Sequence, residues 1–164
     1  MSDEEQKVVP LRPQKASRAS EQKWGKKVMD LGFCIIPSLL LRGQQRLGLN
    51  ARQLAVLLQL CDFWWDEARK PHPGKKLLAE RLDMSERQVQ RIIAELEQAG
   101  YVQRIPRSAP HGGKQTNYYD LSGLVKKLQA LEPEFRAVED TAKAERKAVS
   151  RRGYKRRPKA AKAE

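Results

Sequence analysis

The sequence predicts a mainly α fold with one small β-hairpin and a flexible basic C-terminal tail. Three observations predict it. Apolar residues recur at three-four spacing in three successive segments between Ala51 and Ala99. Two alternating runs, Tyr101–Ile105 and Thr116–Leu121, flank a polar stretch with two prolines and two adjacent glycines. Beyond Ser150, Arg151-Arg-Gly-Tyr-Lys-Arg-Arg-Pro-Lys159 is a basic run without core-forming residues.

Taken in order, residues 1–19 mix Pro10, Pro13, charges and small polar side chains. Such a segment buries too little apolar surface to offset its ordering entropy, and disorder is expected. Ser20 is a candidate cap for a helix Glu21–Leu31 that ends at Gly32. Phe33–Pro37 reads as a short buried strand or an extended arm, followed by a helical turn at Ser38–Arg42. Asn50 is placed to cap a helix from Ala51 to about Glu67, with Leu54, Leu57, Leu58, Cys61, Trp64 and Trp65 on one face. At that spacing the tryptophans read as packing residues rather than base-stacking ones. Pro71–Gly74 is loop chemistry. Lys75–Leu82 sets Leu77, Leu78 and Leu82 on one side, and Asp83-Met84 makes a tight turn.

Ser85–Ala99 is the clearest element. Ser85 and Gln88 form an S-x-x-Q pattern, in which each side chain satisfies an orphan amide at the helix start. Val89, Ile92, Ile93 and Leu96 follow at 0, 3, 4 and 7 as a core stripe. Gly100 stands where a left-handed cap would end the helix. After the hairpin, Ser122 is read as capping a helix to about Leu131. Leu121, Leu124, Leu128, Leu131, Phe135, Val138 and Ala142 continue at alternating spacings of three and four. That seam either pairs helices between chains or packs on its own domain. Pro133 argues against one continuous helix and suggests a restart with proline at its first position. The expected organisation is a disordered 1–19, a folded domain over 20–131, a C-terminal helix over 132–150 and a disordered tail over 151–164.

Charge narrows the function classes less than its size suggests. Of the net +13, Lys143–Glu164 contributes +8, residues 1–20 contribute +1 and the stretch between them +4. The total therefore describes the tail, which suits any polyanion. Cys34 and Cys61 each lie in an apolar run and read as buried free thiols, without disulfide or zinc spacing. The apolar stretch Phe33–Leu41 is far short of the ~20 residues that span a bilayer. No signal segment opens the chain, so a cytoplasmic, nucleoid-associated protein is expected. His111-Gly-Gly-Lys-Gln-Thr116 fails as a phosphate-binding loop, because Ser108 and Gln115 stand where a glycine and a Ser/Thr are needed. No catalytic constellation, metal site or cofactor motif is present, and no enzyme is expected.

Leu77–Val102 resembles a helix-turn-helix followed by a first wing strand. The residues that carry the likeness are Leu78, Ala79 and Leu82; Ser85, Arg87, Val89 and Arg91; and Leu96, Gly100 and Tyr101. Thr116, Asn117, Tyr119 and Leu121 resemble the closing strand of the same winged helix-turn-helix family, which includes bacterial transcriptional regulators and plasmid or phage replication initiators. The likeness covers about Gly32–Leu131. It departs at Gly74, where the family more often has a capping Ser.

The resemblance implies binding to double-stranded DNA, with helix 85–99 in the major groove. Independently, Arg87, Gln90, Arg91, Ala94 and Gln98 fall opposite the core stripe. Arginine suits guanine O6/N7 and glutamine suits adenine N6/N7, each through paired hydrogen bonds. Ala94 lets the helix approach closely. Arg87, Gln90 and Arg91 are therefore expected to read bases, with Ser85 and Gln88 at the helix start beside them. On the wing, Arg104, Arg107, His111 and Lys114 are expected to meet phosphate or the minor groove. The function so implied is a sequence-specific transcriptional regulator, a repressor or autoregulator. The alternatives are a plasmid or phage replication-initiation or partition protein, and a non-catalytic nucleic-acid adaptor.

Overall fold

A computed structural model of the chain describes residues 19–107, 115–153 and 155. Of the segment 1–19 expected to be disordered, residues 1–18 lie outside the described residues and Ala19 begins a helix; the wing residues His111 and Lys114 and most of the tail beyond Gly153 also lie outside them.

The chain divides into two units, the first ending at Cys34. It holds α1 (Ala19–Trp24) and α2 (Lys26–Asp30) where one helix over 21–31 is predicted. Gly25 separates them at φ +87°, a conformation glycine reaches without steric cost. Cys34 is exposed, so the buried-thiol reading fails there, whereas Cys61 packs partly against the core. Phe33–Pro37 is extended but not a buried strand, since Phe33 and Ile35 face solvent.

The second unit runs from Ile35 and opens with α3 (Ser38–Arg42). α4 (Ala51–Asp62) starts on a capping box, with Asn50 Oδ1 accepting from the Gln53 amide at 2.9 Å and Gln53 Oε1 accepting from the Asn50 amide at 3.1 Å. It stops about a turn earlier than Glu67. Three aromatics, Phe63 to Trp65, follow Asp62, and the Asp66 carboxylate accepts from the Ala68 amide at 2.9 Å in a local turn that competes with the helix. Trp64 packs partly against the core, whereas Trp65 is exposed.

α5 (Lys75–Leu82) buries Leu78 and Ala79, but Leu77 points largely outward, contrary to its predicted side. α6 (Glu86–Gln98) lies across α4 and α5, and their shared core contains Val56, Leu57, Leu60, Leu78, Val89, Ile93 and Leu96. β1 (Gln103–Ile105) and β2 (Tyr118–Asp120) pair antiparallel, with Arg104 opposite Tyr119 and Ile105 opposite Tyr118. On the other side of β2, the Pro71 carbonyl accepts from the Tyr119 amide at 2.8 Å. The segment entering α5 thus lines the hairpin as a third, single-bond edge.

α7 (Ser122–Val149) is one continuous helix, correcting the expected restart at Pro133. A proline there removes the bond to the Gln129 carbonyl and crowds that oxygen, a cost that is smaller where both residues, as here, are exposed to water. Ser122 is not the cap. Leu121 holds that position, and Asp120 Oδ1 accepts from the Ser122 amide at 2.8 Å. Gly123 lets α7 start against the preceding turn, because a Cβ there would lie 2.2 Å from the Gly100 carbonyl oxygen. Leu121, Leu124 and Leu131 of the predicted seam are core residues. Further along, Arg46–Glu134 and Arg42–Glu139, each at 2.6 Å, tie α7 to the α3 region. Among the described residues no helix is long and apolar enough to cross a membrane.

Candidate nucleic-acid interface

The turn between α5 and α6 is set by Asp83, the one described non-glycine residue at positive φ, +51°. Aspartate tolerates this left-handed conformation better than most side chains. It lets the Met84 amide reach back to the Ala79 carbonyl at 3.0 Å, which closes α5 and redirects the chain. Ser85 then starts α6. Its Oγ accepts from the Gln88 amide at 3.2 Å, and Gln88 Oε1 accepts from the Ser85 amide at 2.9 Å. The predicted capping box is present. It also occupies Ser85 Oγ and Gln88 Oε1, two of the groups expected to face DNA.

Val89, Ile92, Ile93 and Leu96 are all buried, and Gly100 ends the helix at φ +74°. The opposite face presents Arg87, Gln90, Arg91, Ala94 and Gln98 to solvent. The two sides of α6 are therefore as the periodicity predicts.

The cations of this face differ in how they are held. Arg91 meets Glu95 at 3.8 Å, an exposed pair one helical turn apart that contributes little. Lys75, at the start of α5, meets Glu86 at 3.5 Å. Among the described residues, Arg87 alone on the α6 face has no carboxylate partner.

Gln90 borders a cleft of about 420 Å³ between α6, the start of α5 and the wing, where Lys75, Arg104, Thr116 and Asn117 also lie. Lys75, Thr116 and Asn117 are additions to the predicted set. Their signal in the sequence is position: Lys75 follows the helix-starting Gly74, and Thr116-Asn117 opens the closing strand.

Arg104 sits at the root of the wing. Its Nε and Nη2 donate to Glu97 Oε2 at 2.8 and 2.5 Å, and its backbone amide donates to Glu97 Oε1 at 2.9 Å. Those bonds hold the Glu97 carboxyl below the usual carboxylate range. Arg104 is thus half-buried and engaged, unlike Arg87. Arg107 lies over the Tyr118 ring, its guanidinium carbon 4.3 Å from the centroid. The structure brings Arg87, Gln90 and Arg91 onto one exposed surface, with Arg104 and Arg107 on the adjoining hairpin.

The sequence model of a family described as a helix-turn-helix domain matches residues 47–102, which hold α4, α5 and α6. A similar solved structure is the crystal structure of the N-terminal domain of DnaD protein from Geobacillus kaustophilus HTA426. The two align with a TM-score of 0.51 at 23% identity, over 70% of this chain and 93% of the other. At that identity the likeness is one of fold. No curated protein matches the chain. Residues 47–102 accordingly match a helix-turn-helix domain, and with the hairpin from Gln103 to Asp120 the fold is that of a winged helix-turn-helix.

Proposed function

We propose that the protein binds double-stranded DNA sequence-specifically, without catalysis, and acts as a transcriptional regulator by occluding promoters. The observation that carries this reading is the exposed face of α6, Arg87, Gln90, Arg91 and Ala94, within a helix-turn-helix domain and beside a wing. Its groups match base edges in the major groove, and Ala94 removes bulk midway along it. Arg107, together with His111 and Lys114, supplies phosphate or minor-groove contacts that orient the domain without carrying sequence information.

Sequencing of DNA recovered by chromatin immunoprecipitation tests the role. Sites at promoters are expected. Iterated sites confined to one replication origin would replace regulation with initiation, and uniform coverage would refute sequence-specific readout. In vitro, Arg87→Ala should relax specificity at one base position, at a cost of roughly 1–3 kcal/mol there. An unchanged sequence preference, measured by selection from a random duplex pool, would remove Arg87 from the reading set.

A homodimer belongs to the same reading. The core takes Leu121, Leu124 and Leu131, but Val138 is 71% exposed, beside Ala137, Thr141, Ala142 and Glu145. Glu139 and Asp140 begin this outer half of α7, and Arg146 and Lys147 end it. Antiparallel pairing of two copies would set acidic starts against basic ends.

A further inference from the structure

The outer face of the wing sheet carries a second surface, of which the duplex reading uses only Arg107. Strand alternation puts Arg104 and Tyr119 on one side of the hairpin and Ile105 and Tyr118 on the other. On that other side lies a depression of about 530 Å³ bordered by Arg69, Lys70, His72, Ile105 and Tyr118. Tyr118 is its aromatic centre. The His72 ring meets it edge-on, with centroids 5.5 Å apart, and Arg107 lies over it.

The rim is cationic, and two carboxylates adjoin it. Asp120 is held by Lys70 at 2.5 Å, while Asp66 reaches Arg69 only at 3.8 Å. The Arg69 side chain is 87% exposed, so its guanidinium keeps donors turned to solvent. A flat aromatic floor with guanidinium and imidazole groups around it fits a ligand that joins planar rings to phosphates. Duplex DNA offers its phosphates outside but keeps its bases stacked within. An unpaired strand offers both.

We infer that this face binds single-stranded nucleic acid, with a base stacked against Tyr118 and the Arg107 guanidinium over it, and flanking phosphates on Arg69 and His72. Its floor and rim are separate from the base-reading face of α6, and Arg107, over the Tyr118 ring, is the one residue common to both readings.

The test uses the full chain and fluorescence anisotropy with three labelled probes: oligo-dT, oligo-rU and a duplex containing a selected site. Oligo-dT binding should fall roughly fivefold or more in Tyr118→Ala, the range expected for loss of one stacked base. Tyr118→Phe, which keeps the ring, should stay within about twofold of wild type. Arg69→Ala should weaken single-strand binding and reduce its salt slope by about one. Duplex affinity should hold in Arg69→Ala and Tyr118→Phe, which also reports that the fold is intact.

Tighter binding of oligo-dT than oligo-rU assigns the face to DNA, and the reverse assigns it to RNA. The inference is overturned if Arg69→Ala and Tyr118→Phe both bind as wild type while Tyr118→Ala loses duplex and single strand alike. It is equally overturned if removal of residues 151–164 abolishes oligo-dT binding that the Tyr118 and Arg69 variants leave unchanged.

Discussion

Glu97 and Arg104 stand seven residues apart, with the end of α6 and the Gly100 turn between them. One carboxylate there holds both the backbone and the side chain of Arg104, in the first wing strand, against α6. Glu97→Gln removes the charge but keeps the shape, so Arg104 loses its ionic partner and becomes available to phosphate. We expect Glu97→Gln to lower stability by roughly 1 kcal/mol and to steepen the salt dependence of duplex binding by about one phosphate contact. An unchanged slope in a salt titration would exclude Arg104 from the backbone contacts. Asp120 is the other anchored carboxylate. The Lys70 ammonium and the Ser122 amide hold its pKa down to about 2 from an ordinary 3.8. The unfolded chain therefore takes up this proton first as the pH falls. The resulting stability is complete above about pH 4 and is lost on the way down to pH 2. Asp120→Asn should flatten that part of the profile of melting temperature against pH, and an unaltered profile would deny Asp120 the role.

At the scale of elements, what the sequence discloses follows from where the determining contacts lie. α6 was legible because everything that defines it is local: a cap pair at Ser85 and Gln88, a stripe of four apolar residues, and Gly100 beyond its end. The exposure of Arg87, Gln90 and Arg91 followed from the same periodicity. The end of α4 was not legible, because the side-chain turn at Asp66 prevails over a continuing apolar pattern. Nor was the continuity of α7 through Pro133, where solvent exposure of Gln129 lowers the penalty a buried proline would carry. The Glu97–Arg104 pair needed the Gly100 turn before its partners could meet. Gly123 belongs with these distant determinants, since nothing around it in the chain announces the Gly100 carbonyl. Gly123→Ala should destabilise the domain by about 3 kcal/mol, because both atoms in conflict belong to, or are fixed by, backbone. Urea unfolding followed by circular dichroism measures it, and a loss below about 1 kcal/mol would mean the helix start can shift.

For the whole molecule, the winged domain and the outer half of α7 have different roles in the proposed function. The first carries the readers; the second carries an apolar side chain with no cover among the described residues. Light scattering should give twice the chain mass, and Val138→Asp should halve it while leaving the fold unchanged by circular dichroism. A monomeric wild type at micromolar concentration would leave the domain to bind single half-sites. Dimerisation would instead impose a spacing of about one helical turn of DNA, or a multiple, between them.

β2 ends at Asp120 and α7 begins at Ser122, with Leu121 alone between them. The Asp120 carboxylate and the seat of Gly123 against Gly100 fasten that junction from both sides. There is no slack in it. With a single residue between them, any shift of the first turn of α7 is coupled directly to the end of β2.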